Sequence, residues 1–87
     1  KNILLIDVRE PYENQINSIS GSILFSLNSI QTGAAIEDIK ALQKNKTIYV
    51  YCKTGYRSSL ALKYLNFHNI KGYNVEGGMD EWERKID

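Results

Sequence analysis

Short apolar runs alternate with segments of helical period along this chain, and this alternation constrains the fold more than any other feature. Residues 3–6 are apolar at every position, as in a parallel strand that is covered on both faces. Residues 47–51 are β-branched and aromatic, which favours a strand. A short apolar piece at 23–25 and a short strand at 73–75 complete the set of predicted strands. With helices between them, the pattern predicts an α/β fold with a central parallel sheet flanked by helices on both faces.

Helical segments are predicted between these strands. Pro11 suits the first turn of a short helix over residues 12–16, and one helical turn is predicted over residues 26–30. Residues 34–44 carry apolar side chains on one face and charged or polar ones on the other, which indicates an amphipathic helix.

The C-terminal part of the chain continues the helical pattern. Two serines, good capping residues, open a predicted helix over residues 58–67, whose wide apolar stripe indicates a largely buried element. Met79, Trp82 and Ile86 line one face of a last predicted helix. We expect Trp82 to lie in the core, where it closes this helix on the sheet.

Composition excludes several classes of protein. A length of 87 residues fits a single domain over residues 1–87. Since there is one Cys, the chain holds no internal disulfide and no thiolate-rich metal site. We expect no metal and no cofactor. The single Cys also favours a reduced compartment, and we expect a cytoplasmic location. The net charge of +1 disfavours a nucleic-acid partner. The longest apolar run has five residues, 48–52, so no membrane span is predicted.

Cys52 stands where a predicted strand ends and a helix is about to begin. Ligands of open α/β sheets bind beyond the carboxyl ends of strands, and a helix N-terminus stabilises an anion there and lowers the pKa of a thiol. Lys53 and Arg57 add positive charge to the loop, and Gly55 permits a tight turn in which backbone N–H groups converge. A lone Cys in such a place is usually a small buried hydrophobe, but this combination favours a nucleophile.

Three segments of the sequence carry a family resemblance. Residues 52–58, Cys-Lys-Thr-Gly-Tyr-Arg-Ser, resemble the active-site loop of rhodanese-like domains, which are sulfurtransferases that carry sulfur as a cysteine persulfide. Residues 7–13 resemble the first signature of that family, and residues 77–82 resemble its closing signature. The three segments occur in the family's order and span nearly the whole chain.

The resemblance implies a role for each residue of these motifs. Cys52 would be the catalytic nucleophile, and the rest of its loop would hold the anionic persulfide: Lys53, Thr54, Gly55, Tyr56, Arg57 and Ser58. The two basic side chains would attract anionic donors, and the serine hydroxyl would donate to the sulfur or cap the helix. Asp7 and Arg9 would support the active-site side of the sheet; the alternative is a surface ion pair worth less than ~1 kcal/mol. Glu13 is interpreted as structural.

The resemblance also implies partners. The sulfane-sulfur donor would be thiosulfate or a persulfide protein such as a cysteine desulfurase, and the acceptor would be a thiol, cyanide or a ubiquitin-like sulfur carrier protein. Residues 27–36 and 82–87 are similar to rhodanese domains fused behind an adenylyltransferase of the molybdopterin or thiamine type. The chain has no initiator Met, and the strand and helix that precede the first signature in the family are missing, so we expect an excerpt of a longer protein.

Two rival functions remain open at the level of sequence. Related phosphatases have five residues between Cys and Arg, whereas four separate Cys52 from Arg57 here, which suits one sulfur atom better than a tetrahedral oxyanion. We therefore expect no phosphatase activity. The second rival is a non-catalytic rhodanese-like module that binds a partner protein.

Overall fold

A parallel sheet of four strands lies at the centre of the structure, a computed structural model that describes residues 2–86 and the side chains of residues 2–84. The strand order is β2-β1-β3-β4. In chain order the strands are β1 (Ile3–Asp7), β2 (Ile23–Leu24), β3 (Thr47–Tyr51) and β4 (Gly72–Asn74). All the strand pairs are parallel, as the continuous apolar runs predicted.

Helices connect the strands and cover both faces of the sheet. They are α1 (Pro11–Ile16), α2 (Leu27–Gln31), α3 (Ile36–Gln43), α4 (Tyr56–Phe67) and α5 (Gly78–Ile86). The predicted α/β fold is therefore confirmed. Because parallel strands end at the same edge of the sheet, residues that follow β1 and β3 become neighbours, and Asp7 pairs in register with Tyr51.

Alternate residues of the strands point into two separate cores. The larger core joins Ile6 and Val50 of the sheet to residues of α2, α3 and α4, among them Ile30, Ile39 and Leu65. The smaller core, on the other face, is formed by the buried side chains of Ile19, Tyr51 and Met79, with Leu5 and Val75 packed against them. Cys52 belongs to the larger core and marks its boundary with the loop that follows β3.

Several predicted boundaries differ from those observed. The strand predicted at 23–25 has only two residues, and the one predicted at 73–75 begins and ends one residue earlier. The helix predicted to start at Ser58 starts at Tyr56, because Gly55 takes a left-handed conformation (φ 115°) and acts as its N-cap. The prediction that the serines cap this helix was therefore wrong.

Two predictions of burial were also wrong. Trp82 is 40% exposed, because burial along α5 is confined to its first residues, where Met79 fills the core position. The side chain of Ile86 lies outside the described residues. The outer face of α4 is open, with Tyr64 and Phe67 exposed, since one face of the helix meets the sheet. Within residues 2–86, no helix has the length and apolar character needed to cross a membrane.

Candidate active site

Cys52 lies directly after β3, with its sulfur turned into the first turn of α4. The side chain is buried, and Sγ accepts the backbone N–H of Gly55 at 3.1 Å and that of Ser58 at 3.4 Å. The Ser58 hydroxyl lies 3.4 Å from the sulfur. Burial raises the pKa of the thiol, but a Ser58 hydroxyl that donates to Sγ and the backbone N–H groups of Ser58, Gly55 and Thr54 lower it by more, so the pKa lies below its ordinary value. The geometry favours a thiolate held by N–H groups.

The loop that carries Cys52 is held in place by the start of α5. The backbone N–H of Met79 donates to the Cys52 carbonyl at 2.8 Å, and that of Asp80 donates to the Lys53 carbonyl at 3.0 Å. This approach requires Gly78, since a Cβ there would meet the Cys52 carbonyl oxygen and lie 2.7 Å from that of Lys53. The closing motif of the sequence therefore docks a helix N-terminus on the loop that carries Cys52.

Ser58 and Asn74 join the loop to β4. The Ser58 hydroxyl lies 2.6 Å from Oδ1 of Asn74 and 3.1 Å from the Gly55 carbonyl oxygen, and Nδ2 of Asn74 donates to that same carbonyl at 3.0 Å. Sequence reasoning missed Asn74, which it treated only as part of a strand. Its polar side chain near a strand's carboxyl end was the available signal.

The two basic residues of the loop are paired with carboxylates. Arg57 forms a two-pronged ion pair with Glu13 of α1, at 2.7 and 3.0 Å, and Lys53 pairs with Asp80 of α5 at 2.7 Å. The hydrogen bonds from Arg57 hold the pKa of Glu13 down to about 2, although burial raises it, and the Asp80 carboxylate raises the pKa of Lys53. Neither side chain hydrogen-bonds to Sγ in the described part of the chain, and the partner carboxylates offset the charge that was expected to attract donors.

Asp7 and Arg9 form a buried pair at the carboxyl end of β1. Their side chains are 0% and 4% exposed and lie 2.9 Å apart, so the alternative of a surface ion pair is wrong. Arg9 also donates to Oδ1 and the carbonyl of Asn17, while Asn14 and Tyr51 donate to the Asp7 carboxylate. Burial raises the pKa of Asp7, but the bonds from Arg9 and Asn14 lower it by more. The pair ties α1 and the turn after it to the sheet.

A small cleft opens beside the loop. Its volume is about 170 Å³, and Lys53 and Arg9 line it together with side chains from α1 and α5. Thr54 and Tyr56 are exposed on the surface of the loop, and Tyr56 is 69% exposed. The structure thus brings the predicted loop residues together around Cys52, with Asp7 and Arg9 in the supporting layer. No group of three or more His, Cys, Asp or Glu within residues 2–86 is arranged to hold a metal ion.

Comparison with known proteins identifies the family. The family model described as "Rhodanese-like domain" matches residues 1–85. The chain belongs to the rhodanese-like domain family. It is 36% identical over 83 residues to "Putative sulfurtransferase YtwF" of Bacillus subtilis, covering 95% of this chain and 76% of that protein. A rhodanese-related protein from Thermoplasma volcanium has a similar structure, with a TM-score of 0.80, 31% identity, and coverage of 97% of this chain and 79% of that one.

Some relatives are much longer than this chain. "Probable adenylyltransferase/sulfurtransferase MoeZ" of Mycobacterium tuberculosis is 34% identical over 87 residues, which cover 99% of this chain but 21% of that protein. In a chloroplastic relative from Arabidopsis thaliana, the matched part is 28% of the length. The rhodanese-like family includes proteins named sulfurtransferases, and the resemblance seen in the motifs is confirmed at the level of the family.

Proposed function

We propose that this domain is a sulfurtransferase that carries sulfane sulfur as a persulfide on Cys52. The observation that carries the proposal is the buried Sγ, which accepts backbone N–H groups at 3.1 and 3.4 Å at the start of α4. Such an arrangement stabilises an anionic sulfur without any side-chain cation. Membership of the rhodanese-like family supports the same chemistry.

The reaction is a pair of displacements in which electrons balance. The Cys52 thiolate attacks the outer sulfur of thiosulfate; an S–S bond forms to Cys52, the S–S bond to sulfite breaks, and sulfite leaves with the electron pair. An acceptor nucleophile such as cyanide or a thiol then attacks the terminal sulfur of the persulfide. The bond to Sγ breaks, and the thiolate of Cys52 leaves and returns to the N–H groups that stabilised it.

The loop cations act on this reaction through structure. Arg57 and Lys53 are each bound to a carboxylate, so the partly buried Arg57 mainly fixes the loop against α1, and the exposed Lys53 adds only a weak link to α5. Attraction of an anionic donor is correspondingly weaker than two unpaired cations would supply. The charge that faces the sulfur comes from the N–H groups of the peptide backbone.

The physiological partners are proposed from the relatives. Similarity to MoeZ, whose name combines adenylyltransferase and sulfurtransferase, supports a sulfur carrier protein as acceptor and a persulfide protein such as a cysteine desulfurase as donor. A cytoplasmic location is part of the same proposal, since the thiol of Cys52 must remain reduced between turnovers.

Mass spectrometry of the intact domain tests the proposal. After incubation with thiosulfate and removal of the small molecules, we expect the wild type to gain the mass of one sulfur atom, and cyanide or a thiol to remove it. The Cys52→Ser variant, whose hydroxyl is nearly the same size, should gain nothing. If thiosulfate and a low-molecular-weight persulfide both fail to load the wild type, the domain is a binding module and the proposal is wrong.

A second assay separates sulfur transfer from phosphatase chemistry. The four-residue spacing between Cys52 and Arg57 suits a single sulfur, and the Arg57 guanidinium is engaged by Glu13 instead of being free to bind a phosphate. We expect no hydrolysis of an aryl phosphate above the background of Cys52→Ala. Hydrolysis by the wild type that this variant lacks would reassign the domain to the phosphatases.

A further inference from the structure

The Ser58 hydroxyl has more acceptors around it than hydrogens to give. Its oxygen is fully buried and lies 2.6 Å from Oδ1 of Asn74, 3.1 Å from the Gly55 carbonyl oxygen and 3.4 Å from Sγ of Cys52. A hydroxyl has one hydrogen and two lone pairs. It therefore donates to one of these groups and presents lone pairs to the others.

The orientation of the Asn74 amide settles which acceptor is favoured. Its Nδ2 lies 3.0 Å from the Gly55 carbonyl oxygen, which can only accept, so a flipped amide would place two acceptors in contact. Oδ1 must then face Ser58. At 2.6 Å this is the shortest of the three contacts and has the length of a good O–H···O hydrogen bond, whereas the contact with sulfur at 3.4 Å is long.

We propose that Asn74 is a positioning residue for Cys52, which draws the hydroxyl hydrogen of Ser58 away from the sulfur and leaves the backbone N–H groups to stabilise the thiolate. In this arrangement Ser58 turns a lone pair toward Sγ. The lone pair accepts a hydrogen bond from the thiol S–H and opposes the thiolate. A hydroxyl that donated to Sγ would lower the pKa of Cys52, so Asn74, by taking that hydrogen, keeps the pKa higher than a donating Ser58 would.

This inference rests on the proposed function and deepens it. In the first displacement Cys52 is a nucleophile, and in the second its thiolate is the leaving group. A very low pKa favours departure but weakens attack on the donor. Asn74, through Ser58, keeps the pKa of Cys52 between these two extremes. When Cys52 is protonated, the lone pair of Ser58 accepts the hydrogen bond from its S–H.

The test is the pH dependence of Cys52 alkylation by iodoacetamide, measured in four proteins: wild type, Asn74→Ala, Ser58→Ala and the double variant. We expect Asn74→Ala to move the midpoint to lower pH, because the released hydroxyl can then donate to the thiolate, whose charge makes it a stronger acceptor than the neutral Gly55 carbonyl. Below that midpoint the rate should rise about two- to fivefold, since the thiolate fraction grows while each thiolate becomes less nucleophilic. In the Ser58→Ala background, the same Asn74 substitution should leave the midpoint unchanged or raise it.

Asn66→Ala, at an exposed position of α4, is the control and should match the wild type in alkylation midpoint and rate. If Asn74 acted only by bracing Gly55, its removal would raise the midpoint equally with and without Ser58, and the proposal would be overturned. Alkylation needs no sulfur donor, so this result is independent of whether the domain transfers sulfur.

A spectroscopic measurement avoids the Asn74 variants should they fold poorly. At a pH below the alkylation midpoint, where Cys52 is a thiol, the S–H stretching band of the wild type should lie at lower frequency than that of Ser58→Ala, because the thiol donates to the serine oxygen. Equal frequencies in the two proteins would show that no such bond exists and would overturn the proposal.

Discussion

The chemistry of Cys52 depends on residues that lie far from it in sequence. The motif of residues 52–58 predicted the candidate nucleophile and its tight turn, because both predictions use local properties of a strand, a glycine and a helix start. Glu13 is 44 positions from Arg57, and Asp80 is 27 positions from Lys53. No periodicity or spacing specifies such pairings, so the sequence predicted free cations where the structure has ion pairs.

Tyr51 shows how a single buried hydroxyl links the supporting layer. Its oxygen accepts the N–H of Ile19 at 3.0 Å and contacts Ser22 at 2.9 Å, and its hydrogen goes to Asp7 at 3.2 Å. We expect Tyr51→Phe to lower the free energy of unfolding by about 1–3 kcal/mol, because the buried N–H and carboxylate each lose a partner. Urea unfolding measures the change.

The matched control for this substitution lies on the same strand. Tyr49 is half-buried, with its ring 5.4 Å from that of Tyr73. Tyr49→Phe keeps this ring contact and should change the free energy of unfolding by less than about 0.5 kcal/mol. Equal losses in the two variants would mean that the Tyr51 hydroxyl has no special role.

At the scale of elements, the start of a helix was harder to predict than its existence. The strand-and-helix order followed from periodicity, but α4 begins two residues before the predicted serine cap because Gly55 itself serves as N-cap. The shift places Ser58 inside the first turn, where its hydroxyl faces the sulfur and Asn74. Capping preference alone does not distinguish these positions, since serine also bonds to the backbone within the first turn.

The docking of α5 gives a prediction for Gly78. Its φ is +57°, and an added Cβ would lie 2.7 Å from the Lys53 carbonyl oxygen, which is backbone and cannot rotate away. We expect Gly78→Ala to lower the free energy of unfolding by about 3 kcal/mol or more, because the start of α5 must move away from the loop. Alkylation of Cys52 should also slow, as the loop loses its support.

Gly33 provides the comparison, since it has φ +87° but open space where a Cβ would lie. Gly33→Ala should lower the free energy of unfolding by about 1–2 kcal/mol, the strain of a positive φ alone, and leave the alkylation rate of Cys52 unchanged. Both variants are compared by urea unfolding. If Gly78→Ala is no worse than Gly33→Ala in either measurement, α5 does not brace the loop.

Across the whole molecule, parallel strand order and charge pairing together assemble the site. The adjacent carboxyl ends of β1 and β3 place Asp7 and Cys52 at one edge, which the sequence pattern predicted through the rule for open sheets. The partly buried Arg57–Glu13 pair then holds α1 to the loop that carries Cys52, while the exposed Lys53–Asp80 pair adds little to the docking of α5. The choice of carboxylate for each cation required the folded arrangement and was not predicted.

The stability of the molecule should therefore depend on acid in a defined way. The pKa of Glu13 is held down to about 2 by Arg57, from an ordinary value of 4.5. A folded-state pKa below the unfolded one stabilises the fold at higher pH, and this contribution is lost as pH falls from about 4.5 through about 2. Allowing for solvent screening, we expect Glu13→Gln to lower the free energy of unfolding by about 1–2 kcal/mol at neutral pH.

Urea unfolding at a series of pH values measures this dependence. The gap between wild type and Glu13→Gln should be constant at neutral pH and shrink as the solution is acidified through that window, since protonated Glu13 no longer pairs with Arg57. Asp7, whose pKa is also lowered, remains in both proteins, so each should still lose stability in acid. Glu37→Gln, at an exposed position of α3, serves as the control and should follow the wild type throughout. A gap that stays constant down to the lowest pH would mean that the carboxylate charge of Glu13 does not hold α1 to the loop that carries Cys52.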